Sequence, residues 1–365
     1  MKTIDIFDKD IGLSNVKMAV VAAQHTSKIL QKYGYITPKL PITVPHILIY
    51  GLAGVGKTKR AEATAELMGC SESERTFIRI NSDCIECIEN LVDLLQDKLS
   101  WQGYKMDSSG RVVDPINPIA PVKNYLIFLD EVHCLSKTTQ EKLGLILLDF
   151  RYQVKIGGKI RTVYFPKFTL IAATTKPGEL IKPLRTRFGI KISVEACSDD
   201  EMVTVVDTML KPTGWNVDPE AKNIVAKMSQ GIPREAANHL TGLYNCWIHS
   251  LYTGQTHNKQ CIMKDIATKY ASIQKYTLDG FSYEQIRVLK YLKTFIKRDG
   301  TRGGAGIVKI CSALGTDADQ FMDTVEPRLI YRGYITSGTR GREITDKGVE
   351  YLTSTEEEYS SIVTF

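Results

Sequence analysis

Apolar positions in the first 196 residues gather into five short runs rich in β-branched and aromatic side chains: His46 to Tyr50, Thr76 to Asn81, Tyr125 to Asp130, Phe168 to Thr174 and Gly189 to Val194. Within each run they are nearly continuous, not alternating, as in strands buried on both faces, and helix-like stretches separate them. The pattern predicts a parallel sheet covered on both sides, an α/β core. Residues 101–121 carry Gly103, Gly110, Pro115, Pro118 and Pro121 without periodicity and read as a surface insertion. Residues 152–165 form two β-like halves meeting at Gly157-Gly158, which predicts a hairpin with Lys155, Lys159 and Arg161 near its tip.

From Ser198 the strand pattern gives way to helical spacing. Ser198-Asp199-Asp200-Glu201 is a capping box ahead of Met202, Val205, Val206, Met209 and Leu210. Asp218-Pro219 opens a second helix, Gly231 follows its end, and a third starts near Pro233. Beyond residue 276, one helix is marked by Ile286, Leu289, Leu292 and Ile296, and another by Ile307, Ile310, Cys311 and Leu314. Thr316-x-x-Asp319 is read as the cap of a third, which runs through Phe321 and Val325 to about Arg332. Two short strands flank Ser337 to Gly341, so this segment is expected to be a winged helix, a helix-turn-helix variant. The expected domains are 1–196, 197–275 and 276–365.

The length of 365 residues fits two or three domains. With 43% hydrophobic and 24% charged residues, the composition excludes disordered, collagen-like and membrane-embedded classes. No apolar run approaches the ~18 residues of a membrane span. The first ten residues hold three Asp where a secretory signal would place an apolar core, so a cytoplasmic protein is expected. The net charge of +6 identifies no partner, but its location does: residues 286–347 hold twelve basic and seven acidic residues. A basic C-terminal domain of this kind points to nucleic acid. Eight cysteines scattered through a long chain read as reduced core thiols. Cys84-x-x-Cys87 lacks a second ligand pair at metal spacing and is expected to place both thiols on one helical face.

Directly after the first strand, Gly51-Leu-Ala-Gly54-Val55-Gly56-Lys57-Thr58 matches G-x-x-x-x-G-K-[ST]. Its glycines let backbone N–H groups close around phosphates, Lys57 supplies charge to the outer phosphates, and the Thr58 hydroxyl can ligate Mg²⁺. Tyr125 to Leu129 runs into Asp130-Glu131, two carboxylates at the end of a strand where open α/β sheets bind ligands. Asp130 is expected to hold Mg²⁺ and Glu131 to polarise the water that attacks the γ-phosphate. His133 is assigned a positioning or packing role. Thr174-Thr175, Pro183-Leu-Arg-Thr-Arg187-Phe188 and Gly231-Ile-Pro-Arg234 complete the expected nucleotide machinery.

These segments, with Val325-Glu-Pro-Arg-Leu-Ile-Tyr-Arg-Gly-Tyr334 and Thr339-Arg-Gly-Arg342, resemble the AAA+ ATPases and, within them, the RuvB family of Holliday-junction branch-migration motors. The resemblance covers about residues 4–352. It implies a P-loop ATPase domain, a helical lid and a winged helix. It places sensor 1 at Thr175, the arginine finger at Arg187 and sensor 2 at Arg234, with Asp10-Ile11-Gly12 at the adenine. It further implies ATP hydrolysis with Mg²⁺ and a homo-hexamer moving branched or duplex DNA. A RuvA-like junction-binding protein is among the partners it implies, but the 152–165 hairpin is shorter here than in the family and is expected to dock a protein different from RuvA or docked differently, with DNA inside a ring as the alternative for its basic tip. Arg340 and Arg342 of the wing are expected on DNA phosphates. An ATP-switched initiator or loader with slow turnover is the alternative, because such proteins also join an AAA+ core to a winged helix.

Overall fold

The computed structural model describes residues 16–23, 44–100, 105–106, 112–113, 124–156, 159–165, 167–256, 258–297 and 300–354. The chain divides into two compact units, Met1–Glu195 and Ala196–Phe365.

In the first unit the strands are β1 (Ile47–Gly51), β2 (Phe77–Asn81), the two-residue β3 (Lys105–Met106) and β4 (Val112–Val113), β5 (Tyr125–Asp130), β6 (Arg151–Ile156), β7 (Lys159–Tyr164), β8 (Phe168–Thr174) and β9 (Ile190–Val194). Five of them form one parallel sheet in the order β2-β5-β8-β1-β9. Successive side chains of a strand point to opposite faces, so a central strand of a doubly covered sheet is apolar at nearly every position. Accordingly, Tyr125, Ile127 and Leu129 of β5 join a core with Leu91, Leu143 and Ile146, while Leu126 and Phe128 join a second core with Ala61, Ala65 and Val16. The expected strands are therefore present to within a residue. β6 and β7 pair antiparallel from Arg151↔Tyr164 to Ile156↔Lys159, as the predicted hairpin requires, and its Gly157-Gly158 tip lies outside the described residues. Within the proposed insertion, β3 and β4 pair with each other.

This strand order decides where the chemistry sits. β8 lies between β1 and β5, so the loop after β1 and the carboxylates ending β5 flank the end of β8. That arrangement is the topological switch point at which open α/β sheets bind ligands.

The second unit holds two cores, one among the helices Asp199–Leu210, Pro219–Met228, Pro233–Tyr252 and Lys264–Ile273, the other in the C-terminal winged helix. The predicted capping box at Ser198 and Glu201 is formed, and Asp218 caps the next helix. Gly231 has φ +80°, and a Cβ there would lie 2.5 Å from the Cys197 carbonyl oxygen, so no larger residue fits that turn. The winged helix comprises the helices Tyr283–Lys293 and Ile307–Leu314, a third helical stretch, β10 (Ile335–Gly338), β11 (Gly341–Ile344) and a closing helix Asp346–Ser354. Three expectations need correction here. The third stretch is capped by Asp317, not Thr316, because the Asp317 carboxylate reaches the amides of Asp319 and Gln320. It widens into a π turn at Phe321–Val325 just before Glu326-Pro327; proline has no amide to donate and its ring crowds the preceding turn. The helix Asp346–Ser354, which buries Leu352, was not anticipated.

Contacts between the two cores explain why residues 196–365 form one unit. Asp199 pairs with both Arg328, at 3.2 Å, and Arg332. The Gln230 and Gln285 amides bond each other reciprocally at 2.9 and 3.0 Å. Arg328 is 5% exposed, and burial together with the neighbouring Arg332 pulls its guanidinium down to about 10, still charged at neutral pH. Removing the shared carboxylate would strand two guanidinium groups, one of them buried. Asp199→Ala is therefore expected to lower stability by about 2–3 kcal/mol in urea unfolding. The exposed neighbour Asp200→Ala is expected to cost under about 1 kcal/mol. Equal effects would assign the loss to helix-end charge instead of the arginine pair.

Candidate nucleotide site

The loop from Gly51 to Thr58 turns directly from β1 into the helix Lys57–Met68. Gly54 and Gly56 have φ of +78° and +94°, conformations that L side chains rarely adopt. Gly51 is required for a different reason: it pairs with Val194 of β9, and a Cβ would lie 2.2 Å from the Val194 carbonyl oxygen. Val55 is 2% exposed and pins the loop into the core beneath it. Lys57 is buried, its Nζ donating to the carbonyls of Gly51 at 3.1 Å and Leu52 at 3.0 Å. Its charge is thereby held across the mouth of the loop.

At the end of β5 the Asp130 carboxyl is pushed above its ordinary range by burial and by repulsion from Glu131. The Glu131 amide at 3.0 Å, the Lys57 charge and a hydrogen bond from the Thr58 hydroxyl pull it back. Asp130, Lys57 and Thr58, expected to act together, are thus brought together. Their hard oxygen donors, a carboxylate and a hydroxyl in contact, suit Mg²⁺.

Glu131 sits in the left-handed region at φ +48°, a conformation uncommon away from glycine and concentrated at functional sites. Its Oε2 accepts from the Thr175 amide at 3.1 Å and from the Thr175 hydroxyl at 3.2 Å. Thr175, just past β8, therefore touches the carboxylate that follows β5. His133 Nδ1 lies 3.2 Å from the same Oε2 and 3.0 Å from the Thr174 hydroxyl. The positioning role assigned to His133 thus has a definite partner, which only the adjacency of β5 and β8 reveals.

Arg187 lies between the short helix Lys182–Arg185 and β9, the outer strand of the sheet, with its Nε buried and without a hydrogen-bond partner. Arg234, in the second unit, is exposed in the first turn of Pro233–Tyr252. Ile11 and Gly12, expected at the adenine, lie outside the described residues.

In the wing, Arg340 is 75% exposed and pairs with Glu343 at 3.2 Å. Arg342 is engaged differently: its guanidinium grips the buried Glu326 with two nitrogens, Nη2 reaching Oε2 at 3.1 Å. The two glycines beside the wing tip, Gly338 and Gly341, divide likewise. A Cβ at Gly341 would lie 2.4 Å from the Ala305 carbonyl oxygen, whereas at Gly338 it would meet nothing within 4 Å. Gly341 therefore answers to packing within the domain.

Cys84 and Cys87 correct another expectation. They do not share a helical face: Cys84 ends a short 3₁₀ turn and is exposed, while the Cys87 thiol donates to Asn90 Oδ1 at 3.0 Å ahead of Ile88–Ser100. Among the described residues, no group of three or more His, Cys, Asp or Glu could hold a metal, and no helix is long and apolar enough to cross a membrane.

A parallel sheet with a phosphate loop after β1, paired carboxylates after β5 and a threonine contact from β8, followed by a helical lid and a winged helix, defines a P-loop ATPase of the AAA+ class. Residues 104–194 match the Holliday junction DNA helicase RuvB P-loop domain, and residues 279–353 the RuvB C-terminal winged helix domain. The RuvB subunit of the Holliday junction branch migration complex of Prochlorococcus marinus (strain MIT 9312) is 30% identical over 316 residues, 85% of this chain and 78% of that protein. Its counterpart in Campylobacter fetus subsp. fetus (strain 82-40) is 27% identical over 84% of this chain and 78% of that protein. The Thermotoga maritima RuvB branch migration motor shares the fold with a TM-score of 0.62 at 22% identity, covering 93% of this chain and 94% of that one. The chain belongs to the RuvB family.

Proposed function

We propose that this chain is an ATP-driven motor that moves Holliday-junction DNA, working in the cytoplasm as a homo-hexameric ring, with a RuvA-like protein docked on the β6–β7 hairpin. The observation that carries the reading is the contact of Glu131 with Thr175 beside Lys57, Thr58 and Asp130, in a chain that ends in a winged helix. In this reading Lys57 neutralises the outer phosphates of ATP, and Thr58 and Asp130 hold Mg²⁺, which when bound offsets phosphate charge. Glu131 polarises the attacking water, and Thr175 links that carboxylate to the end of β8. Ile11 and Gly12 contact the adenine, Arg234 senses the nucleotide from the lid, and Arg187 reaches the nucleotide of a neighbouring subunit.

The test is an annealed four-way junction with labelled arms, mixed with the protein, Mg²⁺ and ATP. Separation of the arms that depends on ATP hydrolysis is expected. Hydrolysis with tight junction binding but no arm separation would favour the ATP-switched loader instead.

For DNA contact the proposal falls on Arg340, whose guanidinium is the more exposed of the two wing arginines. Phosphate contacts add affinity without sequence preference, and each one lost lowers the salt slope. Arg340→Ala is therefore expected to weaken binding to all sequences alike and to flatten the plot of log K against log salt by about one unit. Arg342→Ala should instead destabilise the wing, because it leaves the buried Glu326 carboxylate unpaired. An unchanged slope in Arg340→Ala would move the DNA contact to another surface.

A further inference from the structure

We propose that His133 is a positioning residue for ATP hydrolysis: its Nδ1–H fixes one oxygen of Glu131 so that the other is presented to the attacking water. The inference rests on Glu131 being the group that polarises that water. The ring is held in place by the backbone, since Val132 is fully buried and the Cys134 amide closes the turn onto the Glu131 carbonyl at 2.9 Å. The side chain is only 12% exposed.

Its tautomer follows from what faces it. An ionised carboxylate oxygen can only accept, so a bare Nδ1 lone pair at 3.2 Å from Oε2 would be repelled, and Nδ1 must carry the hydrogen. The Thr174 hydroxyl at 3.0 Å, already accepting from the Lys176 amide at 3.0 Å, shares that hydrogen through its second lone pair. Nε2 faces the Cys134 sulfur at 3.8 Å. The hydrogen bond to the Asp83 side chain, with smaller contributions from partial desolvation and nearby carboxylates, pushes that exposed thiol up to about 11.

Oε2 of Glu131 consequently accepts from the Thr175 amide and the Thr175 hydroxyl, and His133 Nδ1, hydrogen-bonded to Thr174, stands against the same oxygen at 3.2 Å. All three converge on one oxygen. The carboxylate is held by that oxygen, which leaves Oε1 to accept the proton of water. Because Thr175 is bonded to the same atom, a displacement of Thr175 would leave His133 as the side chain still gripping Glu131. Displacement of a reacting group by about 1 Å can cost about 100-fold in rate, so the loss of this grip should be read in turnover, not in affinity.

The experiment compares His133→Ala, His133→Asn and His133→Gln in steady-state ATP hydrolysis, alongside binding of a fluorescent ATP analogue and thermal unfolding. An Asn amide can place a donor where Nδ1 stands, whereas a Gln amide reaches the position of Nε2. Ala and Gln are expected to lower kcat by about 10- to 100-fold with KM for ATP within about 3-fold, and Asn to stay within about 3-fold of the parent. If the Ala variant is unfolded, the Asn and Gln pair decides. Equal kcat in Asn and Gln, or a loss confined to KM, overturns the inference. A parent protein that binds the analogue but hydrolyses ATP no faster than Lys57→Ala would instead overturn the ATPase reading and take this inference with it.

Discussion

Lys57→Ala is expected to abolish ATP binding, with Kd raised by at least about 100-fold, whereas Glu131→Gln binds ATP within about 3-fold of the parent and hydrolyses it at least about 100-fold more slowly. Lys57 meets phosphate in the ground state, and its Nζ also bridges the Gly51 and Leu52 carbonyls, so its loss removes both the charge and a brace of the loop. Glu131 is different. The two Thr175 donors to its Oε2, and the His133 Nδ1 that stands 3.2 Å from it, can be met by the carbonyl oxygen of a glutamine, so the local structure should survive. The amide nitrogen then faces the water, and an amide cannot take its proton. Binding energy expressed equally in ground and transition states changes affinity, whereas an interaction made only in the transition state changes turnover. Isothermal titration with a non-hydrolysable analogue, set against single-turnover hydrolysis, separates the two. Equal losses of affinity in both variants would defeat this division of roles.

The centre of the sheet is legible because β1, β5 and β8 are buried along nearly their whole length, which leaves almost continuous apolar runs in the sequence, whereas the outer strands β2 and β9 expose Arg79, Lys191 and Ser193. The phosphate loop was legible because Gly54 and Gly56 occupy backbone conformations that other residues avoid. Caps at Ser198 and Asp218 were legible because a cap is local chemistry within three residues. What sequence reasoning missed depends on long-range placement. Arg328 and Asp199 are 129 residues apart, and no periodicity couples them. Arg342 was read as a DNA contact because its neighbours form a thin basic wing; only the fold brings Glu326 beneath it. The closing helix did carry a local signal, since the Thr345 hydroxyl accepts the Gly348 amide at 3.1 Å ahead of Val349 and Leu352 at helical spacing. Cys84 and Cys87 mislead in the opposite direction. Their spacing suits one helix, but the helix begins only at Ile88.

Arg187→Ala is expected to bind ATP within about 3-fold of the parent yet hydrolyse it about 10³-fold more slowly, with activity partly restored on mixing with Lys57→Ala. Arg187 follows a four-residue helix and precedes β9, the outer strand of the sheet, whereas the phosphate loop leaves from β1. Its buried, unpartnered Nε carries a desolvation cost of about 1–3 kcal/mol, which service at a neighbour's nucleotide would account for. A guanidinium arriving from an adjacent subunit would offset charge that develops on the phosphoryl oxygens only as the bond breaks, so its removal should spare binding. Head-to-tail contacts of this sort are heterologous and either close into a ring or run on as a filament. In a mixed assembly, some interfaces would join an intact Lys57 loop on one subunit to an intact Arg187 on the next, and those interfaces alone should turn over. The restored rate should rise and then fall as the mixing ratio is varied, because either variant alone offers no complete interface. Mixtures that co-assemble by light scattering yet stay inactive at every ratio would show that Arg187 does not act across subunits.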